Sequence, residues 1–295
     1  MQDIDQKTLN NDPEKVPLHC ALAIAGSDSG GGAGIQADLR TFAFSGVFGT
    51  SAITAITGQN PLGVKHIMGL PPETVEKQIS AVTEVFDLKA VKTGMLFSAE
   101  IMEKISPFLA GFSCPVVTDP VMVSTSGKIL MQKDSLNTFR EKILPFATFI
   151  TPNIPETEVL TGKKICNFTD CIESAKECAE KFHCGVIVKG GHAEGEKSSS
   201  DVAVFREECI VLQAERCMIP VSATHGTGCT LSSAFAAFLA KGYSWKEALR
   251  EAKAFVLASL EGARPFSGTQ NLAGMWPPDP EQRKKAAEKI ICIEM

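Results

Sequence analysis

Along the chain, short uninterrupted apolar runs alternate with stretches in which apolar residues recur every three or four positions. The first kind predicts strands over Ala21–Ala25, Ser51–Thr57, Ala90–Thr93, Val116–Thr118, Thr148–Thr151 and Gly185–Lys189. The second predicts helices over Ile35–Phe44, Pro72–Phe86, Ala99–Leu109, Ser135–Ile143 and Asp170–Lys181. Strands that are apolar on both faces belong to a mostly parallel sheet with helices on each side, an α/β fold. After Lys189 the rhythm changes. Val202–Phe205 and Cys209–Leu212 flank the polar Arg206-Glu207-Glu208, which reads as an antiparallel hairpin, and two longer helices follow at Thr227–Lys241 and Trp245–Glu261.

No Pro/Ser-rich linker, repeat or low-complexity tract divides the chain. One domain over residues 18–268 is therefore expected, preceded by a polar tail at 1–17 and followed by an extension at 269–295 to which the sequence assigns no role. In parallel sheets, ligands gather beyond the carboxyl ends of the strands. The stretches Gly26–Gly34, Gly58-Gln59-Asn60, Gly94-Met95, Asp119-Pro120, Pro152–Glu156 and Gly190-Gly191-His192 each follow a predicted strand, so all six are expected on one face.

Composition narrows the function. A net charge of −5 over 295 residues carries no basic footprint for nucleic acid. The opening MQDIDQKTLNNDPEKVP lacks the basic start and apolar stretch of a secretory signal, and runs such as Phe235–Ala240 fall far short of the roughly 20 residues that span a bilayer. No membrane partner is expected. Ten cysteines include no C-x-x-C pair, which argues against zinc and for a reduced, cytoplasmic protein in which most of them pack as small hydrophobes.

The stretch ATHGTGCTLSSAFAAFLAKG, residues 223–242, holds the most chemistry. Leu231, Phe235, Phe238 and Leu239 form a helical apolar stripe with Thr227 as a plausible N-cap. Gly226 and Gly228 leave room for an anion to approach the exposed N–H groups at the helix start. Cys229 falls in the first turn, where the helix dipole should lower its pKa and favour thiolate. The plainer reading is a glycine-rich loop capping a core helix. Neither a Walker loop nor a dinucleotide fingerprint is present: TGKK and SGKI lack the first pattern, and the glycine spacing breaks the second.

Asp38 and Gln59 could together read donors and acceptors on a polar heterocycle, although Asp38 also fits a solvated helix position. Asp119, Asn153 and Glu156 are hard oxygen donors suited to Mg²⁺ and phosphate, although Asn153 and Glu156 also have helix-capping spacing. Lys189 could extend its charge towards phosphate. His225 adjoins the anion site and is ambiguous; His19, His66 and His183 are assigned nothing.

The stretches ALAIAGSDSGGGAGIQADL, TSAITAITGQNPLGV, VKTGML, TDPVMVSTSG, TPNIPETEVLTG, VKGGH and ATHGTGCTLSSAFAAFLAKGYSWKEAL run in order from about Ala21 to Ala263. In combination they resemble the hydroxymethylpyrimidine/phosphomethylpyrimidine kinases of thiamine biosynthesis, within the ribokinase-like superfamily. That resemblance implies a three-layer sandwich and transfer of the γ-phosphoryl of ATP, with Mg²⁺, to 4-amino-5-hydroxymethyl-2-methylpyrimidine, and commonly on to the diphosphate. It implies that Asp38 and Gln59 hold the pyrimidine in a pocket lined by Ala33, Thr57, Met95 and Val121. Asp119 and Glu156 would serve the metal; Asn153, Lys189 and Thr224 the nucleotide phosphates. Gly226, Thr227 and Gly228 would cradle the transferring group, and Cys229 would accept the hydroxymethyl proton.

The resemblance also implies a homodimer. A pyridoxine or pyridoxal kinase is the nearest alternative, since related proteins use the same GTGC element; a catalytically silent pyrimidine- or nucleotide-binding regulator is another. The ending SGTQNLAGMWPPDPEQRKK departs from the family's usual glycine- and proline-rich close. Closing loops are sought at Ser124–Lys128 and Glu194–Ser200.

Overall fold

The computed structural model describes residues 17–122, 135–190, 198–269 and 272–295. Of the expected closing loops, residues 124–128 and 194–197 lie outside them, as do Gly191 and His192. The chain runs β1 (Cys20–Asp28), α1 (Gly34–Phe44), β2 (Phe48–Asn60), β3 (Gly63–Gly69), α2 (Pro72–Thr83), β4 (Leu88–Thr93), α3 (Ala99–Gly111) and β5 (Val116–Thr118). It continues with α4 (Ser135–Lys142), β6 (Phe149–Ile150), α5 (Ile154–Thr161), α6 (Phe168–Phe182), β7 (Gly185–Val188), β8 (Ser198–Phe205) and β9 (Glu208–Glu215). It closes with α7 (Thr227–Ala240), α8 (Trp245–Glu261), the short β10 (Arg264–Pro265) and β11 (Ala273–Gly274), α9 (Pro280–Glu288) and β12 (Ile291–Glu294).

Ten strands form one sheet in the order β12-β9-β8-β7-β6-β5-β4-β1-β2-β3. The central strands from β2 through β1, β4, β5 and β6 to β7 pair in parallel, whereas β3, β8, β9 and β12 add to the margins antiparallel. The α/β architecture expected from the apolar runs is therefore present. β1 shows how sequence builds its layers: Leu22 and Ile24 face one core with Ile79, Met102 and Ile105 of α2 and α3, whereas Ala21 and Ala23 face the other with Phe42, Phe235 and Phe238 of α1 and α7. Successive side chains of a strand point to opposite faces. The small alanines on the second face let α7 lie close to the sheet, and nearly all of its side chains from Thr230 to Phe238 are buried.

The expected hairpin is longer than its apolar kernel, with β8 and β9 paired from Ser198–Glu215 to Phe205–Glu208 around a turn in which Arg206 takes φ 57°. β3 carries no apolar run because Lys65 and His66 interrupt it, yet it pairs with β2 from Ala55–Gly69 to Asn60–Gly63. The extension after residue 268 is ordered: α9 starts on an Asp279–Gln282 capping box, and β12 pairs with β9.

Candidate functional site

A cavity of about 500 Å³ lies over the carboxyl ends of the parallel strands, between the start of α7 and the inner face of α8. The sheet order reverses direction between β1 and β4, and a parallel sheet opens its crevice at such a point.

Two glycine loops form the wall nearest α7. A short turn at Val221–Thr224 leads to His225 and then Gly226, whose φ of 87° is left-handed. Gly226 is the N-cap of α7, so Thr227 is its first residue and not the cap that the sequence suggests. Thr227 Oγ1 instead donates to the Thr224 carbonyl at 3.0 Å, holding the turn onto the helix. A Cβ at Gly226 would collide with the carbonyl oxygen of Gly32, so the two loops touch where neither has a side chain. The N–H groups of Thr227, Gly228 and Cys229 begin the helix without intrahelical acceptors and turn a positive end to the cavity.

Asp28 organises the first loop. Its carboxylate accepts from the backbone N–H groups of Gly30 and Ala33 at 2.8 and 2.7 Å. Burial opposes its charge, but His225 and those two N–H groups outweigh burial and hold it below the ordinary carboxylate range. His225 Nε2 stands 3.1 Å from Asp28 Oδ2 and 3.1 Å from the Gln59 amide, so the loops are tied across the cavity mouth. One ring nitrogen cannot donate to a carboxylate and accept from an amide together. Likewise, the single Thr57 hydroxyl proton serves the Ser27 carbonyl at 2.8 Å and cannot also reach Gln59. Turning the Gln59 amide so that its oxygen faces His225 and its NH₂ faces Thr57 removes the Thr57 conflict and leaves a single Nε2–H shared between the Asp28 carboxylate and the Gln59 oxygen.

Charged groups converge behind the α7 terminus. Lys189 Nζ donates to Asp119 Oδ1 at 2.7 Å and stands 4.0 Å from Glu156 Oε2. Thr151 and Ser232 also donate to Asp119, at 3.2 and 3.3 Å. The absent side chain of Gly228 leaves room for Lys189 Nζ, which would lie 3.2 Å from a Cβ there. Asn153 and Glu156 form a reciprocal capping box at the start of α5, with both bonds at 2.8 Å, and Glu156 and Asn153 still line the cavity. Burial works against both acids. At Asp119 the nearby Lys189 and Lys92 reverse that effect and hold it low; at Glu156 burial, aided by Asp119, prevails over Lys189 and pushes the carboxyl up to about 7.

That donor set fits a hard divalent cation in part. No group of three or more His, Cys, Asp or Glu able to cage a metal occurs among the described residues. Two carboxylates completed by phosphate oxygens and water suit Mg²⁺, which keeps much of its hydration and seldom uses an all-protein cage.

Asp38 departs from its expected place. Helix α1 turns it onto the sheet, fully buried, where its carboxylate accepts from Lys92 Nζ at 2.9 and 3.0 Å and from Ser233 Oγ at 2.6 Å. It does not line the cavity; Lys92 does, standing between the carboxylate and the open space. The other candidates, Ala33, Thr57, Gln59, Met95, Val121, Asp119, Asn153, Glu156, Lys189, Thr224, Gly226, Thr227, Gly228 and Cys229, share the one cavity wall.

Cys229 is at the α7 terminus as expected, but its thiol is not acidic. Burial pushes it up to about 11; Lys92 and the Gly34 backbone pull it down, while Asp38 and Asp119 add to burial. The helix terminus does not outweigh burial beside two carboxylates, so the thiolate expected from position alone is a minor form at neutral pH.

Sequence reasoning passed over Lys92, whose signal was a lysine inside the apolar Ala90–Thr93 run, and the Asp28–His225 tie. It also passed over the far end of the cavity, where Ala214, Ile219, Val221, Val256, Leu257 and Leu260 give an apolar wall. There Lys253 donates to Asp201 at 2.7 Å, and Asp201 accepts from the Gly190 N–H at 3.0 Å. A lysine between two alanines on an otherwise apolar helix face was the available signal.

The phosphomethylpyrimidine kinase family model matches residues 28–273. A hydroxymethylpyrimidine/phosphomethylpyrimidine kinase from Haemophilus influenzae is 45% identical over 243 residues, covering 81% of this chain and 90% of its own. The chloroplastic thiamine biosynthetic bifunctional enzyme TH1 of Arabidopsis thaliana is 44% identical over 256 residues, 86% of this chain and 48% of that protein. Among solved structures, the pyridoxal kinase from Staphylococcus aureus in complex with AMP-PCP and pyridoxal superposes with a TM-score of 0.80 at 30% identity, covering 95% of this chain and all of that one.

Proposed function

The chain belongs to the phosphomethylpyrimidine kinase family, and we propose on that premise that its cavity transfers the γ-phosphoryl of ATP to the hydroxymethyl oxygen of 4-amino-5-hydroxymethyl-2-methylpyrimidine. The resulting monophosphate is then phosphorylated to the diphosphate, for thiamine biosynthesis. The observation that carries this reading is the convergence of the α7 terminus, Cys229, Lys189, Asp119 and Glu156 on one cavity whose near end presents Gln59.

The pyrimidine sits at the near end among Ala33, Thr57, Met95 and Val121. A 4-aminopyrimidine shows an amino donor beside a ring acceptor, and the Gln59 amide offers the matching acceptor and donor. The nucleotide base takes the apolar far end, and its phosphates run between Asn153, Lys189 and Thr224 to the α7 terminus. Lys189 and the N–H groups of Gly226 to Cys229 face the oxygens on which charge collects during phosphoryl transfer, the contribution that dominates this chemistry. Asp119 and Glu156 are the residues that would hold Mg²⁺, which would supply charge neutralisation. As the alcohol oxygen bonds to phosphorus and the bond to ADP breaks, the hydroxymethyl proton passes to the Cys229 sulfur. Only the thiolate can take it, and Lys92 is the buried cation that favours that form.

All ten cysteines are unpaired, and no helix of the described residues is long and apolar enough to cross a membrane, in keeping with a cytoplasmic place of action. We assign a homodimer through the open β3 edge, where Leu62 and Met68 are exposed by 75% and 51%; mass in solution tests it. The experiment that tests the reaction measures ADP release with the pyrimidine alcohol, its monophosphate and pyridoxal in turn. Turnover of the first two supports the proposal. Turnover of pyridoxal alone, or of nothing while ligands still bind, would replace it with one of the alternatives.

A further inference from the structure

Helix α8 has two working faces. Lys253, Val256, Leu257 and Leu260, spaced by three and four, line the far end of the cavity. A neighbouring stripe, from Arg250 and Glu251 through Ala254 and Ala258 to Glu261, faces the extension that follows the family match ending at residue 273.

That extension and the residue before it are fastened at four places. Ala273 N donates to Ser222 Oγ at 3.1 Å, on the turn that leads into the α7 loop. Trp276 N donates to the Ser259 carbonyl of α8 at 3.2 Å. Helix α9 lies along α8, with Arg283 on Glu251 at 2.8 Å, Lys289 on Glu261 at 2.7 Å and Arg250 donating to the Ala287 carbonyl at 3.0 Å. Ala286 and Ile290 are buried beneath it. Finally, β12 pairs with β9, and Lys246 at the start of α8 bridges Glu208 and Glu294. Exposed ion pairs of this kind contribute little singly. Burial of Ala286 and Ile290, together with the pairing of β12 along β9, makes the docking cooperative.

We propose that residues 274–295 are a strap that fixes α8 against the sheet and thereby sets nucleotide affinity, as a positioning element and not a ligand contact. It rests on the nucleotide base occupying the far end of the cavity. Without the strap, α8 has to be ordered by the ligand itself, and that ordering is subtracted from binding. By linkage, a nucleotide that prefers the docked α8 must stabilise the docked strap to the same extent.

Two measurements test this. A chain ending at Pro278, which lacks α9 and β12, is compared with the full chain for binding of ADP by calorimetry and for both KM values. The expected result is nucleotide binding weaker by about tenfold, with KM for the pyrimidine within about twofold. A folded truncated chain that binds ADP within about twofold of the full chain overturns the proposal. Should the truncated chain not fold, hydrogen exchange on the intact protein decides: saturating ADP should slow exchange over residues 280–294, and unchanged exchange there overturns the strap. An intact chain that does not bind ADP at all fails at the nucleotide reading itself, which separates the two failures.

Discussion

Lys92 Nζ reaches both carboxylate oxygens of Asp38, at 2.9 and 3.0 Å, with neither side chain exposed to solvent. Burial opposes charge on Lys92, but the adjacent carboxylate more than compensates and keeps the ammonium protonated. Replacing Lys92 by Met leaves Asp38 with only Ser233 and no cation. The expected loss is about 3–5 kcal/mol of stability by denaturant unfolding, because a buried charge has lost its partner. The double replacement Lys92→Met with Asp38→Leu should recover most of it. A single variant as stable as the parent would show that the pair is not ionised.

Cys229→Ala should lower turnover by about 10²–10⁴ while ADP affinity stays within about twofold, the size expected for losing a proton acceptor. Undiminished turnover would remove the sulfur from the reaction.

The thiol at about 11 also predicts a pattern of labelling. Iodoacetamide should modify the exposed Cys166 and Cys292 at about pH 7.5 and leave Cys229 almost untouched, its modification rising with pH towards 11. Peptide mass spectrometry reads each site. Modification of Cys229 at neutral pH as fast as Cys166 would mean that the helix terminus outweighs burial after all.

Gly226→Ala forces a Cβ into the Gly32 carbonyl at a φ of 87°. Strain of this kind costs about 1–3 kcal/mol, and relief requires the two loops to part. Both melting temperature and turnover should fall, whereas Gly242→Ala, at φ 83° with open space around it, should lower stability alone. Equal kinetics for Gly226→Ala and the parent would dissociate the loop contact from the reaction.

Glu156 gives a pH signature in protein free of nucleotide and divalent metal. Its folded-state value near 7 is above the unfolded one, so the folded protein binds the extra proton between about 4.5 and 7. Stability from this group is therefore full below the unfolded value and is lost as pH rises through 7. Asp119 is held low, so its contribution is lost only at more acidic pH and does not mask the effect. Glu156→Gln should flatten the decline between about pH 5 and 7; an unchanged slope would place the titration elsewhere.

The parallel core was legible because β1, β5 and β7 are buried on both faces and appear as apolar runs, and β4 keeps an apolar Ala90-Val91 kernel between Lys89 and Lys92. β3 was not, since it is an edge strand exposed at Lys65, His66 and Met68, which leaves it no apolar run. Site residues that approach ligand through backbone or glycine were found from spacing, as at Gly226 to Cys229. Pairings between residues far apart along the chain were not: Asp38 and Lys92 are 54 positions apart, Asp28 and His225 197. The same blindness misjudged the Cys229 thiol, because burial, aided by Asp38 and Asp119 from distant parts of the chain, outweighs its own helix.

Helix α7 is buried along almost its whole length, and only its start, Thr227 to Cys229 with Leu231, lines the cavity. Dissolved ions screen charges over about 8 Å at physiological ionic strength, but only where they can enter. Thr227, Gly228 and Cys229 are only partly exposed at that terminus, so its field is screened less than at a bare helix end, and its grip on a phosphate should weaken less with added salt.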